Sequence, residues 1–480
     1  MSLSAKLLRT KAIITDGSSE SGLKRVLSAT DLTLLGIGAI IGAGIFVLSG
    51  ITAATQAGPA VILSFVVAGF ACACAALSYA EMASSIGGSG SAYGYGYAAL
   101  GEFPAWIIGW MLICEYSVAI PAVSAGWSGY AADGLRAIGL GLPEALTHTP
   151  FDPKTPGLIN LPAFVIVAIL GVLLSVGAKV SSQFNAIMVA VKVLAILIFI
   201  VVALPHVVPA NWHPFIPDLV IDSDGQPHFG INGIFKGAAT IFFAYLGFDA
   251  VSTAAEETRN PQRDLPIGIL GSLFACTGLY ILVSALLTGI VPYTELNVAS
   301  PVAHALLQIG KDWAAGLISI GAIAGLTTVM LVMYFGLTRV LFAIARDGLL
   351  PSFFSYVHPK TGTPLGSILA SGIIMLAFSG FIPLGKLAEI ANIGTLGAFV
   401  VVCAGVIVLR QTRPDLPRPF RSPASPLIPA LGVASCSYLM YQLGPHTWIA
   451  FGSWMVIGLV VYFLYGFSHS RIGRAASHAG

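Results

Sequence analysis

Three ionisable side chains stand in stretches too apolar to hydrate them. Lys192 lies within NAIMVAVKVLAILIF, Glu115 within GWMLICEYSVAI and Asp249 within IFFAYLGFDAVSTAAEE. An isolated charge at such depth costs about 2.5 kcal/mol or more. Each group must therefore be paired, neutralised or wet, and each is a candidate for proton or ligand chemistry. Desolvation penalises an ammonium, which would let Lys192 take up and release a proton. The alternative is a permanently charged lysine donating to backbone carbonyls, and its depth argues against snorkelling. Glu115 could be protonated, meet a ligand amino group through water, or satisfy a neighbouring helix. Ionised and facing a pocket it would favour cationic ligands; protonated, it would be compatible with small neutral ones. Asp249 follows Gly247 and suits the N-cap of a restarted helix, with direct ligand contact as the alternative.

The backbone offers a second chemistry. In GIGAIIGAGIF, Gly36 to Phe46, four glycines interrupt an apolar run, although glycine in a helix costs roughly 1 kcal/mol relative to alanine. Gly38 and Gly42 fit a small-xxx-small packing face. A dinucleotide loop is excluded because it needs a preceding strand and an acid about 20 residues on, whereas no acid follows Asp31 until Glu81. A discontinuous helix is the third reading, and the aromatic run broken at Gly247 supplies a second interruption to go with it. Paired interrupted helices point to an inverted-repeat transporter. Unwinding exposes amides that suit a carboxylate and carbonyls that suit an ammonium. An α-amino acid presents both groups.

The elements that position these residues are membrane helices. The 480 residues are 56% hydrophobic and 9% charged, against about 25% charged in a soluble domain. Twelve apolar runs of roughly the 20 residues needed to span a bilayer begin near Leu32, Pro59, Pro104, Leu161, Phe184, Gly233, Pro266, Ala314, Leu365, Leu387, Leu427 and Trp448. The expected fold is all-α, in contrast to the short alternating segments of an outer-membrane barrel. The first thirty residues are basic, with no apolar core before a small-residue cleavage site, so no signal peptide is expected. With the N-terminus inside, most of the 23 Lys and Arg face the cytoplasm and the outward side holds Arg136, Lys154, Lys311 and Lys386. The positive-inside rule thus places both termini in the cytoplasm. The net charge of +2 reflects this asymmetry, and no basic patch interleaved with aromatics suggests nucleic acid. Cys72, Cys74, Cys114, Cys276, Cys403 and Cys436 all fall in apolar runs and are expected to pack as small side chains. No metal site and no hydrolase motif of the HExxH or Gly-x-Ser-x-Gly kind is visible, so an enzyme is not expected.

The sequence resembles the amino acid–polyamine–organocation superfamily, and within it the cationic amino acid transporters and their bacterial relatives. The resemblance rests on Gly36 to Phe46, AGPAVILSF from Ala57, NAIMVAVKV from Asn185, FFAYLGFDAVSTAAEETRNPQRDLPIGI from Phe242, GAIAGLTTVMLVMYFGLTRVLFAIARDGLLP from Gly321, and NIGTLGAFVV from Asn392. It covers nearly all of the chain after Arg25. The resemblance implies a leucine-transporter-like fold with helices 1 and 6 discontinuous and a 5+5 inverted repeat plus two extra helices. The segments would be a cytoplasmic stretch 1–30, a first repeat 31–205, an outward loop 206–232, a second repeat 233–410, helices eleven and twelve at 411–468 and a cytoplasmic tail 469–480. Carried over by position, the amides of Gly42, Ala43 and Gly44 would meet a substrate carboxylate. The carbonyls of Ile40, Phe243, Ala244 and Leu246 would meet its ammonium. Small side chains there would be interchangeable and bulky ones would block the site. Lys192 would fill the place where sodium-coupled relatives hold a cation between helices one and eight, so a proton would be the coupling ion, with no sodium site and no cofactor.

The implied function is import of α-amino acids, small neutral or cationic, across the cytoplasmic membrane by proton symport and alternating access. A sodium-independent exchanger or facilitator for amino acids or polyamines, with Lys192 structural, and a non-transporting nutrient sensor are the alternatives. The partners are the substrate and the bilayer; oligomeric state and accessory subunits are not legible. Glu256, Glu257, Arg259, Arg263 and Asp264 would form one cytoplasmic loop beside Arg339, Arg346 and Asp347. Some of these could pair as a gate, although exposed pairs contribute only about 0 to 1 kcal/mol. The loop from His206 to Asn232 holds three aspartates and no Lys or Arg, and no function is read from it.

Overall fold

The computed structural model describes residues 7–11, 27–86, 92–152, 155–177, 182–221, 227–249, 251–252 and 258–478. Its principal helices are α1 (Ala29–Ile40), α2 (Val61–Ile86), α3 (Glu102–Ala137), α4 (Leu161–Ser175), α5 (Ser182–Ala203), α6 (Gly230–Ile241), α7 (Pro261–Ile290), α8 (Asp312–Arg346), α9 (Leu365–Phe381), α10 (Leu384–Thr412), α11 (Leu427–Gln442) and α12 (Pro445–Val461). Among the described residues, seven helical stretches are long and apolar enough to cross a membrane, and α1, α4 and α9 are shorter apolar helices.

A capping box opens α1. The Ser28 backbone N–H donates to the Asp31 carboxylate at 2.8 Å while the Asp31 N–H turns back to the Ser28 hydroxyl, satisfying two orphan amides of the first turn. The helix then stops in mid-run. Ile41 has ψ 101°, an extended conformation, and a second half-helix starts at Ala43. It contains wide π turns over Gly44–Leu48 and Ala53–Ala57 and ends at Gly58, whose φ of +61° suits glycine. The other interrupted helix follows the same plan. After α6 comes a 3-10 turn, Phe242–Tyr245, then Leu246 with ψ 134° and Gly247 with φ +107°. Both interruptions expected from the glycine pattern are thus in place, while the stretch after Asp249 that would restart the helix lies largely outside the described residues.

Two sets of helices pack around the breaks. α1, α2, α6 and α7 lie against one another, and α3, α4, α8 and α9 form a second group. α5 touches α1 and α8, and α10 runs along α3 and supports α11. The breaks themselves meet where side chains vanish. A Cβ built on Gly44 would lie 2.2 Å from the Ala244 Cβ and 2.3 Å from its Cα, and one on Gly247 would lie 2.9 Å from the Ala39 carbonyl oxygen.

One departure from the all-α expectation is a short antiparallel hairpin, Val220–Ile221 with Pro227–His228, in the loop 206–232. That loop is fastened at both sides. Asn211 donates to the Gly289 carbonyl at 3.0 Å and the Phe229 N–H to the Gln56 carbonyl at 2.7 Å. It therefore caps the end of α7 and the end of the second half-helix. Two of its aspartates, Asp222 and Asp224, lie outside the described residues.

Gly44 also corrects the expectation that small residues are interchangeable in the first break. Ala244 meets it with backbone, which cannot rotate away, whereas a Cβ on Gly42 would come no closer than 3.4 Å to the Val329 side chain and 3.9 Å to the Ile40 carbonyl oxygen. Gly44→Ala should lower stability by about 1–3 kcal/mol through overpacking, and Gly42→Ala should remain close to wild type. Thermal unfolding of the detergent-solubilised protein checks this, and equal midpoints for the two variants would contradict the close approach.

Candidate functional site

The first break sets out donors and acceptors in sequence order. The first bond accepted by the second half-helix runs from the Phe46 N–H to the Gly42 carbonyl at 3.4 Å. The amides of Gly42, Ala43 and Gly44 precede it, where helical N–H groups have no intrahelical partner. Ile40, Ala43, Phe243, Ala244 and Leu246 are all buried, so the two breaks are closed off from solvent in this conformation.

Lys192 is fully buried and its Nζ donates to the carbonyls of Gly38 at 2.5 Å and Ile41 at 3.1 Å. These are the groups freed where α1 ends. On its other side the lysine stem passes α8, where a Cβ on Gly325 would lie 3.3 Å from the Lys192 Cβ. The side chain therefore joins α5 to the first break beside α8.

Two further side chains attend the breaks, and sequence reasoning did not single them out. The Tyr280 hydroxyl, on α7, lies 2.9 Å from the Ile40 carbonyl oxygen and 2.8 Å from that of Ala244. Asn392, on α10, donates to the carbonyls of Ala239 at 2.8 Å and Thr240 at 3.0 Å, just before the second break. Two of the carbonyls expected to receive a substrate ammonium, Ile40 and Ala244, thus already have a hydroxyl beside them. The Phe243 carbonyl accepts the Leu246 N–H at 3.3 Å.

Glu115 is fully buried on α3 and shares an electrostatic neighbourhood with Asp249, Tyr79 and Tyr116. Both of its carboxyl oxygens, and the Tyr79 hydroxyl, lack a hydrogen-bond partner among the described residues. The nearby Thr395 hydroxyl gives its proton to the Ala391 carbonyl at 3.1 Å. Asp249 is buried and its carbonyl accepts the Ser252 hydroxyl at 2.5 Å. The structure brings Glu115 and Asp249 together in a group apart from the Lys192 bonds.

Ion pairs gather at the end that the charge pattern assigns to the cytoplasm. Lys11 meets Asp347 at 2.9 Å, and the Tyr93 hydroxyl donates to the same carboxylate at 2.9 Å. Asp347 thus has its partner in the N-terminal segment rather than in the 256–264 loop, where Glu256 and Glu257 lie outside the described residues. Arg339 and Arg346 lie over Phe335 and Phe342. A deeper clamp joins α2 to α10: Arg410 grips Glu81 through two bonds of 2.8 and 2.6 Å, and the Ser422 N–H adds a third at 2.8 Å. All six cysteines are free and buried. No cluster of His, Cys, Asp and Glu able to hold a metal occurs among the described residues.

A buried, glycine-broken helix pair with a lysine on its freed carbonyls defines a multi-pass membrane protein built around exposed backbone rather than around a catalytic side chain. Residues 27–468 match the family model described as amino acid permease, and the chain belongs to that family, within the amino acid–polyamine–organocation superfamily. It is 51% identical to the branched-chain amino acid permease BcaP of Bacillus subtilis over 98% of this chain and 100% of that one. It is 48% identical to the methylthioribose transporter of the same organism over 95% and 96% of the two chains. It is 39% identical to the vacuolar cationic amino acid transporter 4 of Arabidopsis thaliana, over 82% of this chain and 64% of the relative. These matches mark the chain as a transporter of the amino acid permease class rather than an enzyme.

Removing Arg410 would leave Glu81, 3% exposed, with only the Arg418 Nε 3.6 Å away as a cation. Arg410→Ala should therefore destabilise the protein by about 3 kcal/mol, the low end for an orphaned buried charge. Adding Glu81→Gln to that variant should recover part of the loss in a thermal unfolding series.

Proposed function

We propose that this chain is a secondary active transporter that imports α-amino acids, small neutral or cationic, across the cytoplasmic membrane by proton symport and alternating access. The observation that carries this reading is the Lys192 Nζ on the carbonyls of Gly38 and Ile41, at the break where a substrate would be held. The substrate carboxylate would meet the amides of Gly42, Ala43 and Gly44, and its ammonium the carbonyls of Ile40, Phe243, Ala244 and Leu246. Glu115 and Asp249 would border the site from α3 and from the second break.

The architecture proposed is twelve crossings with both termini in the cytoplasm, in a leucine-transporter-like arrangement. α1 to α5 and α6 to α10 would be inverted repeats, with α11 and α12 added. Support comes from the packing sets: α1 and α2 lie with α6 and α7, and α3 and α4 with α8 and α9, so each of these eight helices shares a set with its counterpart five places along. One set rocking against the other would open the breaks to either side. The Lys11 and Asp347 pair would then separate in the inward-open state, a small loss for a pair partly in water.

A proton entering with each zwitterion moves one charge through roughly 100 mV and supplies about 2.3 kcal/mol, sufficient for about 50-fold accumulation. The second reading is an exchanger or facilitator, and one observation favours it: a lysine donating to two helix carbonyls is also the arrangement of a purely structural lysine. A relative is named a methylthioribose transporter, which makes that compound a further substrate to test.

Uptake into proteoliposomes under an inward proton gradient without sodium tests the proposal, using branched-chain, small neutral and cationic amino acids and methylthioribose. Accumulation of an amino acid that collapses with a protonophore is the expected result. Lys192→Ala should abolish accumulation while counterflow persists. Gradient-independent uptake would replace symport with exchange or facilitation, and uptake of methylthioribose alone would remove the amino acid reading.

A further inference from the structure

The Tyr280 hydroxyl lies where a donor reaches both breaks at once, 2.9 Å from the Ile40 oxygen and 2.8 Å from the Ala244 oxygen. A hydroxyl has one proton and can serve only one of these acceptors at a time. An ammonium has three and could serve both. The ring is held in place by aromatic neighbours, with centroids 5.4 Å from Phe65 and 5.6 Å from Tyr245, and it is fully buried. The Tyr245 hydroxyl is committed elsewhere, to the Phe65 carbonyl at 2.9 Å, so Tyr280 alone of the three rings addresses both breaks.

We propose that Tyr280 is a positioning residue that stands in for the substrate ammonium: its hydroxyl holds the Ile40 and Ala244 carbonyls together in the empty carrier and yields them when an α-amino acid binds. The inference rests on the amino acid reading given above. Two unwound carbonyls in a site closed to water need a donor whether or not substrate is present. Tyr280 supplies one between transport cycles, and the arriving ammonium competes with it. The hydroxyl thereby keeps α1 and α6 in register for the return of the empty carrier and weakens ground-state binding. It also favours ligands whose amino group can replace it, so a 2-hydroxy acid of the same side chain would displace it poorly.

Tyr280→Phe keeps the ring and removes the competitor. Binding of the best transported amino acid to the purified variant, followed by calorimetry, should tighten by about five- to tenfold, the scale of one neutral hydrogen bond. Net uptake, which needs the empty carrier to return, should fall several-fold, whereas counterflow should be largely kept. Affinity for the 2-hydroxy acid should not gain. Unchanged or weaker amino acid binding in a folded variant would overturn the proposal, because a hydroxyl that merely braces the helices or that assists the ammonium cannot give a gain. If Tyr280→Phe fails to fold, 4-fluorophenylalanine placed at 280 fills the same volume without a donor and decides by the same criterion. Wild type that binds no α-amino acid would instead strike the amino acid reading, a separate result from binding that does not tighten.

Discussion

Hydrocarbon offers no water to an unwound backbone, so every carbonyl and amide freed by a helix break must find a partner inside the protein. This chain breaks two helices side by side, at Ile41 and at Leu246, and the surrounding helices are arranged around that requirement. α5 brings Lys192 to Gly38 and Ile41, α7 brings Tyr280 to Ile40 and Ala244, and α10 brings Asn392 to Ala239 and Thr240. Each of these side chains fixes the rotation of its own helix. The polar partners are few because the glycines let the two broken segments lie against each other, leaving little free backbone between them.

The partners differ in what motion would do to them. Tyr280 belongs to the same packing set as the breaks, so its bonds would travel with α1 and α6. Lys192 and Asn392 reach in from helices outside that set. The proposed rocking of one set against the other would therefore spare the tyrosine bonds, whereas those of the lysine and asparagine would hold or stretch according to which set α5 and α10 follow. The clamp of Arg410 on Glu81 also runs from α10 to the set that holds the breaks, and it sits near the end tied by Lys11 and Asp347. Bonds that cross between sets are the ones whose strength can bias one conformation over the other; bonds within a set only make it rigid.

Much of this was legible in the residues. Glycine density marked the first break, Gly247 before a buried Asp249 marked the second, and a lysine in the middle of an apolar run marked the donor. Helix starts read from hydropathy fall within a few residues of those observed. What could not be read was helix rotation. Hydrophobicity is nearly uniform around a helix that meets lipid on one side and protein on the other, so nothing in LFACTGLYILV tells which face Tyr280 presents. The same holds for Asn392 in NIGTLGAFVV, whose polar side chain was visible but whose partner, 152 and 153 residues away, was not. Gly44 was read as a site where any small residue would serve because the Ala244 backbone opposite it is set by the fold alone. The loop 206–232 gave no periodic signal, and it is held by contacts to Gln56 and Gly289 that no local pattern encodes.

Lys192 is the point where the two transport readings diverge, and hydrogen-bond counting states what each demands. A neutral amine has two N–H groups, and the carbonyls of Gly38 and Ile41 account for both. An ammonium has a third, which must find an acceptor of its own. A structural lysine would keep that acceptor throughout the cycle. A coupling lysine must gain it in one conformation and lose it in the other, since only a difference between states lets a proton bias the equilibrium. The lysine is tied from α5, which touches both α1 and α8, to a break in α1, so any rocking of the set that holds α1 against the set that holds α8 would alter its surroundings. That placement is what distinguishes it from a lysine buried within a single packing set, where no motion of the carrier could change its partners.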